Sequence, residues 1–388
     1  MSLKNRLVDW GRRKNAGRVK TSMSGKTYTV NIRFEGSEAI VDLGDTTFVV
    51  RSTLPAVERV ECNFVVYGLL AMSLTYGAKF KVEAPVTRQM RGVLAELTYA
   101  FEVWQIPGLF DPQIELLNVI DEPAAPATSD KIICLSGGLD STGGAVHAVR
   151  DHGFTHGLLI AGADYPTSQS PGYIELRGMV GGLAEKFGLE VVEVETDMRK
   201  YRYDWPFLHG LNLGMCLSFL SPHFAMGGIG LDNSAAQDLV RHPWGNTGAL
   251  AHAMSRPGFP ILGFGATEDR VQKLKSVVDF AGPEILRDLS VCWENPEHGY
   301  NCGKCTKCIQ TRLNFVCAGL EEDLAFDTSI ALIDLIDRLP RPQKLKNLRG
   351  TFLRTSEFLK YLPDGPLRDR LQPYYAKLKS RLRHSNGI

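Results

Sequence analysis

The chain holds no long apolar run. Nowhere in its 388 residues is there a stretch of the ~18 apolar residues that a membrane-spanning helix needs. Its first residues, Met1 to Asn15, are polar and basic and lack the hydrophobic core of a signal peptide. These absences predict a cytoplasmic protein with no membrane partner. The sequence also lacks charge of either sign in excess: 44 Lys and Arg stand against 43 Asp and Glu, for a net charge of +1. That balance argues against nucleic acid or an anionic membrane as the main partner. Internal repeats and low-complexity tracts are missing too, so solenoids and extended linker proteins are excluded.

What is present is the mix of an ordinary globular protein, 44% hydrophobic and 22% charged. The length allows about two domains. Basic clusters at Arg12, Arg13 and Lys14, and at Lys377, Lys379, Arg381 and Arg383, read as solvated helix faces; docking of an acidic partner or RNA is the second reading. Residues 18–52 alternate polar and apolar with a period of two and are read as β structure, turning at Gly44-Asp45. Helical patterns are expected at 56–76 and 86–104. The stretch from Asp121 to Asp130 is short of large apolar residues, contains two prolines, and is read as a linker.

Beyond it the pattern alternates. Strands are expected at Lys131–Leu135, His156–Ala163, Glu190–Thr196 and Phe224–Gly230, with helices at Ser141–Asp151, 173–187 and Leu208–Leu220 between them. That order predicts an α/β fold with a doubly wound parallel sheet. The expected layout is an N-terminal α+β accessory domain at 1–122, an α/β domain at 130–320 and a helical C-terminal extension at 321–388. The extension carries no recognisable chemical motif.

Ser136-Gly137-Gly138-Leu139-Asp140-Ser141-Thr142 follows the first of these strands and opens the first helix. A strand-to-helix turn at the carboxyl edge of such a sheet is where ligands bind. Glycines let backbone amides approach phosphate, and the helix N-terminus favours an anion. Ser136, Ser141 and Thr142 supply hydroxyls. Asp140 repels a phosphate directly, so its natural role is to hold Mg²⁺, which neutralises phosphate charge. Asp140 and Ser141 are therefore the candidate catalytic residues. The simpler alternative is a glycine turn capped by Ser141, which leaves the whole Ser-Gly-Gly-x-Asp-Ser string unexplained. The turn lacks the lysine of Gly-x-x-x-x-Gly-Lys-Ser/Thr, which argues against γ-phosphate transfer.

Of the 8 cysteines, Cys292, Cys302, Cys305 and Cys308 form C-x9-C-x2-C-x2-C. Two-residue gaps let successive thiolates turn back onto one ion, and four soft ligands suit a closed structural Zn²⁺ site. A Cys₄ iron–sulfur cluster is the rival. Cys62, Cys134, Cys216 and Cys317 are read as packing residues.

Ser136–Ser141 resembles the signature of the PP-loop ATP pyrophosphatases, HUP-like folds that cleave ATP between the α and β phosphates. Together with Cys292-Trp293 and Cys302-Gly303-Lys304-Cys305-Thr306-Lys307-Cys308, followed by a helix through Arg312, it is similar to the 7-cyano-7-deazaguanine synthase family of queuosine biosynthesis. The resemblance covers about residues 130–320. It implies ATP binding by Ser136, Gly137, Gly138, Leu139, Asp140, Ser141 and Thr142, with Mg²⁺ and Zn²⁺ as cofactors and a homodimer as the assembly. It also implies adenylation of 7-carboxy-7-deazaguanine, displacement of AMP by ammonia to give an amide, and a second ATP to give the nitrile.

The family's Ser-Gly-Tyr-Pro-Asp-like segment is replaced, in the loop read as its counterpart, by Gly230 to Asp238. Asp232, Asn233 and Asp238 are the candidate substrate residues there, since a carboxylate accepts paired N–H donors. The missing Tyr-Pro pair bears on the nitrile step more than on the ATP chemistry. Arg241, His242 and Trp244 are candidates to shape the pocket. Thr267 is expected to cap a helix on which Arg270 or Lys273 contacts phosphate. Because the N-terminal 120 or so residues are an addition to the family pattern, three readings stand open. The chain is a free-standing synthase, a ligase of an anti-phage branch that passes the activated deazaguanine to a protein amine, with its N-terminal domain holding the partner, or a non-catalytic nucleotide sensor. Other PP-loop activities, tRNA thiolation or lysidine formation, fit the neutral charge and closed Cys₄ pattern less well.

Overall fold

The computed structural model describes residues 23–124, 126–239, 243–294, 300–342 and 348–385. The two-residue alternation near the start produces β1 (Thr27–Glu35), β2 (Glu38–Asp42) and β3 (Thr47–Ser52), a meander whose inward residues include Tyr28, Val30, Val41, Phe48 and Val50. Helix α1 (Phe64–Tyr76) is apolar on nearly every side and is buried accordingly. It begins later than the pattern from residue 56 suggests: the Cys62 amide is tied to the Pro85 carbonyl at 2.7 Å, outside any helical turn. Next come β4 (Lys79–Val82), β5 (Val86–Thr87) and α2 (Arg88–Trp104), whose first turn is capped by the Thr87 hydroxyl. Strands β6 (Gln113–Leu116) and β7 (Val119–Ile120) lead into the linker.

The alternating half follows as β8 (Lys131–Cys134), α3 (Leu139–His152), β9 (His156–Ala161), α4 (Pro171–Phe187), β10 (Glu190–Thr196), α5 (Trp205–Phe219), β11 (Met226–Gly230), α6 (Gly248–Met254), β12 (Ile261–Phe264) and α7 (Arg270–Ala281). Helices α8 (Thr306–Ala318), α9 (Leu348–Tyr361) and α10 (Pro366–Ser385) complete the chain.

Ten strands form one sheet in the order β12-β11-β8-β9-β10-β3-β2-β1-β4-β6, while β5 and β7 pair separately. Strands β8 to β12 are mutually parallel. The segment before the linker joins the same sheet: β3 pairs antiparallel with β10, with Val194 opposite Ser52 and Thr196 opposite Val50. One apolar cluster takes residues of β1–β4 and α1 together with Leu211, Met215 and Phe219 of α5. A second lies beneath α3, α4 and α7 on the other face. Helices thus cover the parallel half on both sides, as its apolar strands require. A third cluster joins α8 to the C-terminal helices through Leu313, Phe358 and Leu371. Among the described residues no helix is long and apolar enough to cross a membrane.

Candidate functional site

Strand β8 stands in the middle of the parallel half. Strands β9 and β10 continue to one side of it, and the chain then crosses to the other side for β11 and β12. This reversal lies at the carboxyl ends of β8 and β11, the place that forms the ligand crevice in open α/β sheets. Ser136–Thr142 leaves β8 there, and Leu231–Asn233 leaves β11.

Gly137 has φ +74°, a conformation that favours glycine. Gly138 is the N-cap of α3 and has no side chain to satisfy the first amides. The Ser141 and Thr142 hydroxyls both donate to the Gly138 carbonyl, at 2.9 and 2.8 Å. Ser141 is therefore inside the helix and not its cap, and its oxygen lies 3.1 Å from the Ser136 hydroxyl. Gly230, the last residue of β11, packs directly on this turn: a Cβ there would lie 2.3 Å from the Asp140 carbonyl oxygen.

Asp140 points at α7. Arg270 Nε donates to its two carboxylate oxygens at 2.9 and 3.0 Å, with Nη2 adding a further bond. Lys273 Nζ lies 3.6 Å from Asp140 and donates to the Leu231 carbonyl. Burial alone would raise the Asp140 pKa, but Arg270 and Lys273 outweigh it and hold the carboxyl well below its usual range. Burial lowers the Arg270 value, and Asp140 more than reverses this. For Lys273, which is fully buried, desolvation prevails and the ammonium pKa falls. The cap of α7 is Asp269, with Gln272 completing a capping box; Thr267 does not serve as the cap.

The loop after β11 is fastened by the residues expected to grip substrate. Asp232 accepts from Trp244 Nε1 at 2.5 Å and from Asn246 Nδ2 at 3.1 Å. Asp238 accepts from Asn233 Nδ2 at 3.0 Å and from the Gly248 amide at 3.2 Å. These carboxylates hold the loop's shape, and Trp244 is presented at its rim against His209, ring centroids 5.8 Å apart. Arg241 and His242 lie outside the described residues. A Tyr-Pro pair does occur, at Tyr165-Pro166 after β9, where the buried Tyr165 hydroxyl bonds with Ser290 beside the glycine turn.

The motif-free C-terminal extension supplies residues that sequence reasoning missed. Glu357 of α9 accepts from the Arg270 amide and from Gln237 Nε2, both at 2.9 Å. Arg354 Nη2 donates to the Asp232 carbonyl at 3.2 Å and to Asn233 Oδ1 at 2.9 Å. Lys360 and Tyr361 both reach Asp269, at 3.1 and 2.7 Å. Helix α9 therefore straps the β11 loop to the start of α7 across the crevice. The only local signal was an Arg and a Glu spaced i, i+3, which is common on any solvated helix.

The four clustered cysteines converge, their sulfur atoms all within 4.8 Å of one another. Cys292–Cys305 and Cys302–Cys308 are each 3.9 Å apart. Two sulfurs on one tetrahedral zinc, each at about 2.3 Å, stand about 3.8 Å apart, so the group is consistent with zinc. Backbone amides of Cys305 and Cys308 point at the sulfurs of Cys302 and Cys305. Gly303, φ +67°, fits because a Cβ would strike the Asp327 carbonyl. Buried Arg312 locks the knuckle by donating to the Gly303 carbonyl at 3.1 Å and to Glu322 at 2.7 and 3.1 Å. Cys62, Cys134, Cys216 and Cys317 are buried apart from this group.

A scan against protein-family models finds none that matches this chain, and a search of curated proteins finds no significant match. The site's chemistry therefore rests on its own geometry: a glycine turn at a helix N-terminus, an ionised carboxylate, and buried cations in one crevice.

Proposed function

We propose that the protein binds ATP in the crevice and adenylates a carboxylate substrate, releasing pyrophosphate. The observation that carries this reading is the Ser136–Thr142 turn at the topological switch point, faced by Arg270 and Lys273. Amides at the start of α3 suit phosphate oxygens, and the two cations suit the charge that gathers on a departing pyrophosphate. Asp140 is an ionised hard-oxygen ligand beside that turn, which fits Mg²⁺; the ion, when bound, supplies charge neutralisation of the phosphates. Exchange of Asp140 from Arg270 to the cation would free the guanidinium for the nucleotide.

The chemistry balances simply. A substrate carboxylate oxygen attacks the α-phosphorus, the α–β phosphoanhydride bond breaks, and pyrophosphate leaves. An amine then attacks the acyl carbon, AMP leaves, and the amine loses a proton to give an amide. In line with the resemblance of Ser136–Ser141 and the Cys knuckle, the proposed carboxylate is 7-carboxy-7-deazaguanine, with ammonia as the amine and nitrile formation as the further step. Trp244, beside Asp232, offers a face for a planar base. The cysteine group, with zinc bound, is proposed as a structural site, since four protein ligands leave no open position.

Product analysis tests the reading. AMP and pyrophosphate, formed only when the carboxylate is present, are the expected products. ADP and phosphate would overturn it. Acyl-adenylate without nitrile, its acyl group then passing to a protein amine as AMP leaves, would favour the ligase reading.

A further inference from the structure

Arg354 lies in the C-terminal extension, far in sequence from every motif, yet its side chain is 13% exposed and reaches the loop after β11. Its Nη2 is fully engaged with the Asp232 carbonyl and Asn233. Its Nη1 is buried and has no hydrogen-bond partner among the described residues. Its closest carboxylate, Glu357, stands at 3.6 Å from Nη1 and is itself bonded to Gln237 and the Arg270 amide. A buried donor left unmade carries a desolvation penalty, larger when the group is charged. Such an atom is kept when something else accepts from it.

The surroundings say what that acceptor is. Arg354 acts electrostatically on both Asp140 and Arg270, so it belongs to the same charged cluster. Arg270, Lys273 and Arg354 approach from α7 and α9, and the glycine turn opens α3. Three cations opposite a helix N-terminus make a receptor for an anion with several oxygens, and a guanidinium fork matches phosphate.

We infer that Arg354 is a phosphate-binding residue of this crevice, and that α9 completes a polyphosphate site of which the glycine turn is the other wall. The inference rests on the nucleotide reading above and adds the C-terminal helix to it. The strap of α9 contacts holds the guanidinium in place before ligand arrives, so little ordering is needed on binding.

Calorimetric titration of the full chain with MgATP, and separately with magnesium pyrophosphate, tests it, using wild type, Arg354→Gln and Arg354→Lys. Thermal melting run in parallel reports on folding. Arg354→Gln is expected to weaken both ligands about tenfold. Arg354→Lys, which keeps the charge, is expected to recover at least half of that loss on a logarithmic scale, and the slope of affinity against salt should fall only in the Gln variant. Wild-type affinity in Arg354→Gln would overturn the inference. So would equal losses in the two variants, which would mark Arg354 as a packing residue. Failure of the wild-type protein to bind either ligand would instead overturn the nucleotide reading itself, and the inference with it.

Discussion

The Ser290 amide donates to the Gly137 carbonyl at 2.8 Å. Ser290 stands two residues before Cys292, and Asn301, one residue before Cys302, fixes the same segment by accepting from the Val291 and Cys292 amides at 2.8 and 3.2 Å. The cysteine knuckle and the glycine turn are therefore mechanically one unit, although about 150 residues separate them in sequence.

Cys305→Ser should accordingly damage more than the knuckle. Structural zinc supplies apparent folding energy of about 10–16 kcal/mol in small zinc peptides. Loss of one ligand should lower the melting temperature by on the order of 10 °C and weaken ATP binding in the fraction that stays folded. Metal content by mass spectrometry, melting and ATP titration check this together. A metal-free variant that melts and binds like wild type would show that the cysteines do not brace the turn.

Asp140→Asn should abolish AMP formation and also cost stability, because it leaves Arg270 and Lys273 buried without their counter-charge. Breaking a buried pair in this way costs about 3–5 kcal/mol. The pH dependence follows from the sign of the shift. The folded-state pKa of Asp140 is depressed, so its stabilisation is present above the unfolded value of about 3.9 and is lost as pH falls toward the folded one. Denaturant titrations at pH 7, 5 and 3 should show the gap between wild type and variant closing on acidification. A gap that widens at pH 3 would contradict the assigned ion pair.

Gly230→Ala places a methyl group 2.3 Å from the Asp140 carbonyl oxygen. Backbone cannot yield there as a flexible side chain would, so α3 must shift. The expected cost is about 1–3 kcal/mol in stability, with ATP affinity falling by tenfold or more. Chemical denaturation and nucleotide titration measure both, and an unchanged affinity would mean that the turn and the end of β11 are not parts of one site.

Trp244→Phe removes the indole donor to Asp232 and keeps an aromatic ring. It should raise KM for the carboxylate substrate several-fold while KM for ATP stays unchanged. The opposite split would move Trp244 to the nucleotide side of the crevice.

Local chemistry explains what was legible in the sequence. Strands at 131–134 and 156–161 were readable because buried parallel strands are nearly continuous apolar runs, and 190–196 because Val alternates with Glu over its second half. The glycine turn and the cysteine knuckle were readable because their chemistry depends on neighbours a few residues apart. The union of β3 with β10 was not, since register across more than 140 residues leaves no local trace. Nor was the work of Asp232 and Asp238. Their residue type suits both substrate and loop fastening, and only the positions of Trp244, Asn246 and Gly248 decide between them. Arg354 and Glu357 looked like ordinary surface charges, and burial by tertiary packing is what gives them a role.

The most direct test of the adenylation account follows an oxygen atom. The protein is incubated with ATP, Mg²⁺, ammonia and 7-carboxy-7-deazaguanine whose carboxylate carries oxygen-18, and the AMP is analysed by mass spectrometry. The account predicts AMP that has gained one labelled oxygen, carried over when the acyl–oxygen bond breaks. Unlabelled AMP, which would mean attack by water, or ADP in its place would contradict it.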